Sequence, residues 1–427
     1  MVMLRAAHAG EPVMLREIHA PHPPLRGTLS RRERETKDDN DNDNDNDKNN
    51  DKTLSLRERV AEGRVRGAAL ALTALRGTAL ALIVFIATSA HATTFRVFGS
   101  AGAEAALTPA NTASPLNPNN VAAIAYSTNT ADATAFVEAM PESRAWKIRL
   151  KARADASDRA AEHLEAGEAL VQVNPKSWLD LTAGRVIEKW GTGYAWNPTS
   201  FIGPKKNPAD PNDRLSAYTG LAMIKGDLFL RGTNVSLYAL QHAAFAARVY
   251  RLVAGTDISL VLHHDRNGTQ QGIAVARVFG DALEVHGEAA RRKVLLGAQY
   301  TFTNKLNVVA ELYRSGDGAT ASEMRAVCQL AQQGDLLDAN ARYAPLQMAR
   351  NYAFLRADLP FGRSDIEVIT ITNLRDRSSI LRATYTRKLT STVNAYLIET
   401  EFAGKRESEF ALIQIARQTT FGFRVYF

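Results

Sequence analysis

Residues 416–427 constrain the fold more than any other part of the chain. Thr419, Phe421, Phe423, Val425 and Phe427 fall on one face of an extended segment, and Gln418, Thr420, Gly422, Arg424 and Tyr426 on the other. Side chains in a strand switch faces at every residue, so one wall is apolar and the other polar. A soluble sandwich would hide the phenylalanines. A transmembrane barrel would turn them to lipid and point Arg424 at a watery lumen.

The same period repeats from residue 145 onward. Trp146, Ile148, Leu150 and Ala152 oppose Lys147, Arg149, Lys151 and Arg153. Leu283, Val285, Gly287 and Ala289 oppose Glu284, His286 and Glu288, and Val308, Ala310 and Leu312 oppose Asn307, Glu311 and Tyr313. No helical period competes over most of this region, although 241–253 also reads as helix. Counting back from Phe427, every second connection is short and rich in turn residues: 389–392, 360–364, 304–305, 280–281, 254–256, 231–233 and 174–176. The long connections, 403–415, 314–348, 191–217 and 154–167, all fall in the alternate set. Outer-membrane barrels sort their connections in this way. The expectation is an antiparallel transmembrane β-barrel of about sixteen strands over 145–427, with fourteen to eighteen allowed. Residues 93–144 are expected to add a further pair, near 95–98 and 121–126. A periplasmic β-sandwich or propeller is the soluble competitor.

Composition agrees with a barrel. Mean hydropathy is −0.22, which argues against a helical membrane bundle; a barrel hides in such an average because only alternate residues meet lipid. The net charge of +7 is a weak excess over 427 residues and no nucleic-acid footprint. Cys328 is the single cysteine, which excludes an intrachain disulfide and a cysteine-based metal cluster.

The first 92 residues are of another kind, with Phe85 their only aromatic. Alternating Asp and Asn over 36–52 leave nothing to bury, so this tract is expected to be disordered, and it lacks the EF-hand spacing for calcium. A basic lead (Arg57 to Arg76), an apolar run over 78–86 and Ala90-His91-Ala92 then read as a signal peptide at 60–92, cleaved before Thr93. The uncharged run is short for a spanning helix of ~20 residues. Because such a signal normally opens a chain, residues 1–59 are expected to be a mispredicted extension, with the true start near Val60 or Val65.

Residues 184–198 read Gly-Arg-Val-Ile-Glu-Lys-Trp-Gly-Thr-Gly-Tyr-Ala-Trp-Asn-Pro, and Asn207-Pro-Ala-Asp-Pro follows. With Glu284-Val-His-Gly-Glu288, Gly297-Ala-Gln-Tyr-Thr-Phe302, the run 306–318 and Ser408-Glu-Phe410, this set resembles proteobacterial porin-like barrels of the alginate-export type over 168–427. Ala411 departs from it, standing where Gly is expected. The resemblance implies an outer-membrane channel or export pore, and a terminal Phe427 implies the usual assembly signal of that class.

Within the motif, Gly184 is expected to make room on the inner wall, and Gly191 and Gly193 to allow positive φ in a sharp turn. Trp190, Tyr194 and Trp196 suit an aromatic girdle at the membrane–water boundary. Arg185 and Glu188 are placed to pair across the lumen wall. Asn197 and Pro198 help fix one extracellular loop, a role that competes with direct solute contact. In 314–348, Thr320-x-x-Glu323 fits a capping box, and Met324, Val327, Cys328 and Ala331 form one stripe of a helix expected to fold inward.

No Gly-x-Ser-x-Gly stretch occurs, and His263, His264 and His286 lack zinc-protease spacing, so no enzyme and no cofactor are expected. A basic ladder (Lys147, Arg149, Lys151, Arg153) facing an acidic patch (Glu284, His286, Glu288, Glu311), with Arg424 also in the lumen, would set a transverse field across a constriction. The function expected is a channel for small polar or anionic solutes, by diffusion or export, in the outer membrane of a Gram-negative bacterium. Its partners would be lipid, the barrel-assembly machinery and periplasmic export proteins. The competing class is a structural or adhesive platform whose loops bind a partner.

Overall fold

The computed structural model describes residues 93–141 and 143–427. The extension 1–59 and the expected signal peptide 60–92 lie outside the described residues. Eighteen strands form one sheet. They are β1 (Thr93–Leu107), β2 (Ser127–Pro141), β3 (Trp146–Ser157), β4 (Ala160–Lys176), β5 (Leu179–Val186) and β6 (Leu221–Leu230). Next come β7 (Thr233–Leu240), β8 (Phe245–Val253), β9 (Thr256–Asp265), β10 (Gly268–Phe279), β11 (Leu283–Ala290) and β12 (Lys293–Thr301). The last six are β13 (Asn307–Ser315), β14 (Asn351–Phe361), β15 (Ser364–Asn373), β16 (Ser379–Lys388), β17 (Val393–Ala403) and β18 (Arg417–Tyr426). Each pairs antiparallel with its neighbours, and β1 pairs with β18 from Ser100↔Tyr426 to Leu107↔Thr419. The barrel is closed.

β3 to β18 supply the sixteen strands expected after residue 145, and β1 and β2 raise the total to eighteen. Residues 121–126 are not strand; β2 begins at Ser127. Residues 154–167 are not a long loop either, because β3 and β4 run on to a turn at Asp158-Arg159. The fourth long connection is 108–126, which joins 187–220, 316–350 and 404–416 at the end opposite Phe427. Residues 245–253 form a strand, since pairing to β7 and β9 overrides the weak helix preference of the alanines. At the other end the turns are tight: Arg231 and Gly232 have φ of 45° and 82°, and Ala254 and Gly255 have 49° and 77°. Two successive left-handed residues match the twist of the flanking strands.

The outer wall is apolar and exposed. Ile224 (64%), Leu296 (63%) and Leu312 (58%) point outward with Leu237, Leu260, Leu355 and Phe421. So continuous a surface is incompatible with water and suits lipid. Phe279, Tyr300, Phe302, Phe361, Tyr385 and Phe427 ring the periplasmic end, also exposed. This is the aromatic girdle, and it is built from strand ends rather than from the Trp190–Trp196 motif.

Inside, the loops fill part of the mouth. Connection 316–350 carries α1 (Ala321–Gln332) and α2 (Leu336–Arg342). Thr320 and Glu323 form the expected reciprocal cap at the start of α1. Met324, Val327, Cys328 and Ala331 turn inward and join Leu295, Val309, Phe354, Ile369, Ile371 and Ile380 from the barrel wall in one apolar cluster. Leu116, Phe410 and Leu412 from the connections 108–126 and 404–416 complete it.

Candidate functional site

The connection 187–220, which begins with the motif, is an inner hoop. Read along the sequence, its contacts advance round the wall from β6 to β14, turn back at 199–201 to β11 and β9, and then run on through β16 and β1 to β4. Glu188 meets Lys225 on β6 (3.1 Å), and the Trp190 indole N–H donates to the Tyr238 hydroxyl on β7 (3.3 Å). Thr192 and Gly193 N–H donate to Glu288 Oε1 on β11 (2.6 and 2.7 Å). Thr199 donates to Glu288 Oε2 through both N–H (2.9 Å) and hydroxyl (2.7 Å). On β13, Glu311 accepts from the N–H groups of Tyr194 and Ala195 and lies 3.0 Å from His286 Nε2. Trp196 stacks on Tyr313 at 4.9 Å and touches Phe354 of β14.

Beyond the motif the hoop continues. Arg382 on β16 donates to Ala209 O. Arg214 pairs with Glu104 on β1 and lies over the Tyr396 ring of β17 at 4.9 Å. Arg153 and Lys151 on β3 then donate to Leu215 O (3.3 Å) and Tyr218 O (2.6 Å). Gly220 N–H donates to Gly167 O at 2.8 Å, which returns the chain to β4.

The motif residues take up positions that strand alternation alone misassigns. Trp190 and Trp196 are buried inside the barrel, 1% and 8% exposed, and not in lipid. Arg185 lies on the outer face of β5 and donates to Gly220 O (2.9 Å) and Ala166 O (3.2 Å); its expected partner Glu188 pairs with Lys225 instead. Gly191 has φ of 90°, and a Cβ there would lie 2.6 Å from Glu288 Oε1. Gly193 does not need a positive φ; its Cβ would lie 2.1 Å from Trp196 O. Gly184 (φ 128°) is pressed against the β4 backbone at Ala169 O rather than opening space in the lumen. Asn197 O accepts from Ser200 N–H (3.1 Å), and Pro198 follows in that turn.

All four ladder cations face the lumen, and each has a partner. Lys147 and Arg149 reach Glu138 (3.1 and 3.5 Å), Arg149 also reaches Glu168 (3.0 Å), and Arg153 pairs with Asp155 (2.8 Å). Glu288 and Glu311 are buried beneath the hoop, so they face backbone N–H groups; Glu284 stays 35% exposed beside His286. Arg424 is buried in the inner wall, bonded twice to Asp132 (2.7 and 2.9 Å). Burial works against the Arg214 charge, but the Glu104 carboxylate more than offsets it and holds the guanidinium above its ordinary range. Burial lowers the pKa of the Lys206 ammonium, which donates to Gly193 O (2.6 Å) and Tyr194 O (3.0 Å).

A second hub lies under the mouth. Glu409 accepts from Leu346 N–H (2.7 Å), the Tyr352 hydroxyl (2.7 Å) and Asn373 Nδ2 (2.8 Å), which ties 404–416 and 316–350 to β14 and β15. Burial pushes its carboxyl up to about 7. Glu104 and Arg382 fall outside every sequence motif; Glu409 stands in the Ser408-Glu-Phe410 stretch and Arg214 just after Asn207-Pro-Ala-Asp-Pro, with no role read for either. Glu104 had one visible signal, as the lone charge in a run of alanine and glycine.

Among solved structures the chain is similar to a triple mutant of the porin of Rhodopseudomonas blastica, at TM-score 0.46 and 11% identity over 78% of this chain and 100% of that one. It is also similar to OmpT, an outer membrane protein of Vibrio cholerae in its trimer form, at 0.40 and 8% over 79% and 100%. No family model and no curated protein matches.

Proposed function

We propose that the protein is an outer-membrane channel through which small polar solutes diffuse, with the hoop as its narrowest part. The observation that carries this reading is the hoop's path round the inside of the wall, from β6 at Glu188 to β4 at Gly220. An eighteen-stranded barrel is wide enough for an aqueous lumen, and such a lining narrows it. The chain would reach the outer membrane after cleavage near Ala92, with Phe427 read by the barrel-assembly machinery. The motif resemblance to alginate-export-type barrels adds export, with periplasmic partners, to the same proposal. The apolar cluster in the mouth favours one other reading, a platform whose loops bind a partner. Planar-bilayer recording of the refolded protein separates the two: stepwise currents are expected, and a tight, insulating barrel would reject the channel.

A further inference from the structure

His286 faces the lumen from β11, yet it is only 4% exposed. In the sheet register it stands directly opposite Gly297 of β12, and Gly297 stands opposite Glu311 of β13. The glycine is the reason the other two meet. A Cβ at 297 would lie 2.3 Å from His286 Nε2 and 2.8 Å from Glu311 Cγ. Without one, the imidazole crosses the intervening strand and brings Nε2 to 3.0 Å from Glu311 Oε1. Glu311 is the carboxylate that accepts from the hoop at Tyr194 and Ala195. A neutral ring carries its single proton on Nε2 to donate there. Its Nδ1 is then a lone pair, buried without a hydrogen-bond partner and 3.7 Å from the Glu284 carboxylate. A second proton turns that repulsive contact into an attractive one.

We propose that His286 is the positioning residue for the Glu311 anchor, and that its protonation tightens the hoop and narrows the channel. The inference deepens the channel reading and rests on it for its purpose, but not for its test. The charges around the ring fix the sign. Glu284 and Glu288 share its strand, Glu311 faces it across β12, and the hoop brings Lys206 over Glu311 and Glu288. Asp257 of β9 stands further off in the same row, with Ala276 of β10 between, and accepts from the Tyr250 hydroxyl. While the imidazole is neutral, two buried carboxylates and the half-exposed Glu284 share one ammonium. An imidazolium is a second cation among them. It counts for more when the hoop excludes water than when the hoop is off the wall, because screening is weaker in the closed state. Imidazole takes up its proton between about pH 8 and 5, so the added grip is present at the acid end and lost as pH rises.

The test is single-channel recording at about pH 5.5 and pH 8 in the full-length barrel carrying Glu409→Gln, which removes the titration of the hub under the mouth. Conductance is expected to be at least twofold higher at pH 8. His286→Gln, whose amide still donates to Glu311 but takes no proton, should hold one conductance at both pH values. Gly297→Ala displaces the ring from outside the pair and should give the high conductance at both. If that variant fails to fold, His286→Gln decides alone. A pH response that survives His286→Gln would overturn the proposal, as would a conductance that rises toward pH 5.5. Hydrogen exchange at the amides of Tyr194 and Ala195, corrected for intrinsic rate, reads the same grip in a barrel that passes no current. Faster exchange at pH 8 without currents would keep the switch and reject the channel; currents without a pH response would do the reverse.

Discussion

The inner wall of β1–β4 is a lattice of opposed charges, whereas the mouth end of that of β12–β16 is largely apolar and lies under loops, with Glu311, Arg356, Glu367 and Arg382 further down. Lys147, Arg149 and Arg153 on the first wall meet Glu138, Glu168 and Asp155 without help from outside the sheet. Leu295, Phe354, Ile371 and Ile380 on the second would face water if α1, Phe410 and Leu412 did not cover them. The difference teaches what each loop is for. A polar wall can line a path as it stands, and an apolar wall needs a lid. The hoop serves both, passing from Trp196 over the apolar side to Arg214 and Tyr218 on the charged side.

The comparison can be broken at its joints. Removing both hoop anchors by Glu288→Ala and Glu311→Ala should have the largest effect. Hydrogen bonds to charged groups are worth about 1.5–3 kcal/mol each, and the pair loses six of them from the hoop. The hoop should leave the wall and single-channel conductance should rise severalfold; an unchanged conductance would mean the hoop does not limit flow. Next, Arg424→Ala strands Asp132 on the charged wall. Breaking a buried pair costs about 3–5 kcal/mol, to be read as a lowered midpoint of urea unfolding in detergent.

On the apolar side, Glu409 makes the cover sensitive to pH. Its folded pKa, about 7, lies above the ordinary 4.5, so the stabilising protonation is complete below 4.5 and lost as pH rises through 7. The amides of Leu346 and Met348 both donate to Glu409 Oε1 (2.7 and 3.4 Å), and their hydrogen exchange, corrected for intrinsic rate, should accelerate as pH rises through about 7. Glu409→Gln should flatten that response. Glu138→Gln with Glu168→Gln unpairs the ladder and should move the reversal potential in a KCl gradient toward anions. The smallest effect belongs to Thr320→Ala, which removes the α1 cap for about 1 kcal/mol and should alter exchange only in that helix.

Much of this was legible in the sequence, for physical reasons. Period-two alternation and turn residues reveal β3 to β18, because a lipid-facing wall writes itself as every second residue. β1 and β2 were harder, since Ala101, Ala103, Ala105, Ala131 and Ala133 give the lipid face little hydrophobic contrast. The inward direction of Glu288, Glu311 and Lys151 followed from alternation. Their partners did not, because backbone N–H and C=O groups of a distant loop leave no trace in composition. Trp190 and Trp196 misled for a related reason: an aromatic near a strand end suits a girdle and an interior cover equally well. Which one it joins depends on where the loop folds.

The most direct test of the hoop is a charge exchange between its far side and the wall it reaches. Arg214 leaves the chain between β5 and β6, yet it pairs with Glu104 on β1. Glu104→Arg alone should repel the hoop and raise conductance, as should Arg214→Glu alone. With both changes together the pair is re-formed in reverse, and wild-type conductance should return. A double variant that stays as open as either single one would contradict a hoop that closes on β1.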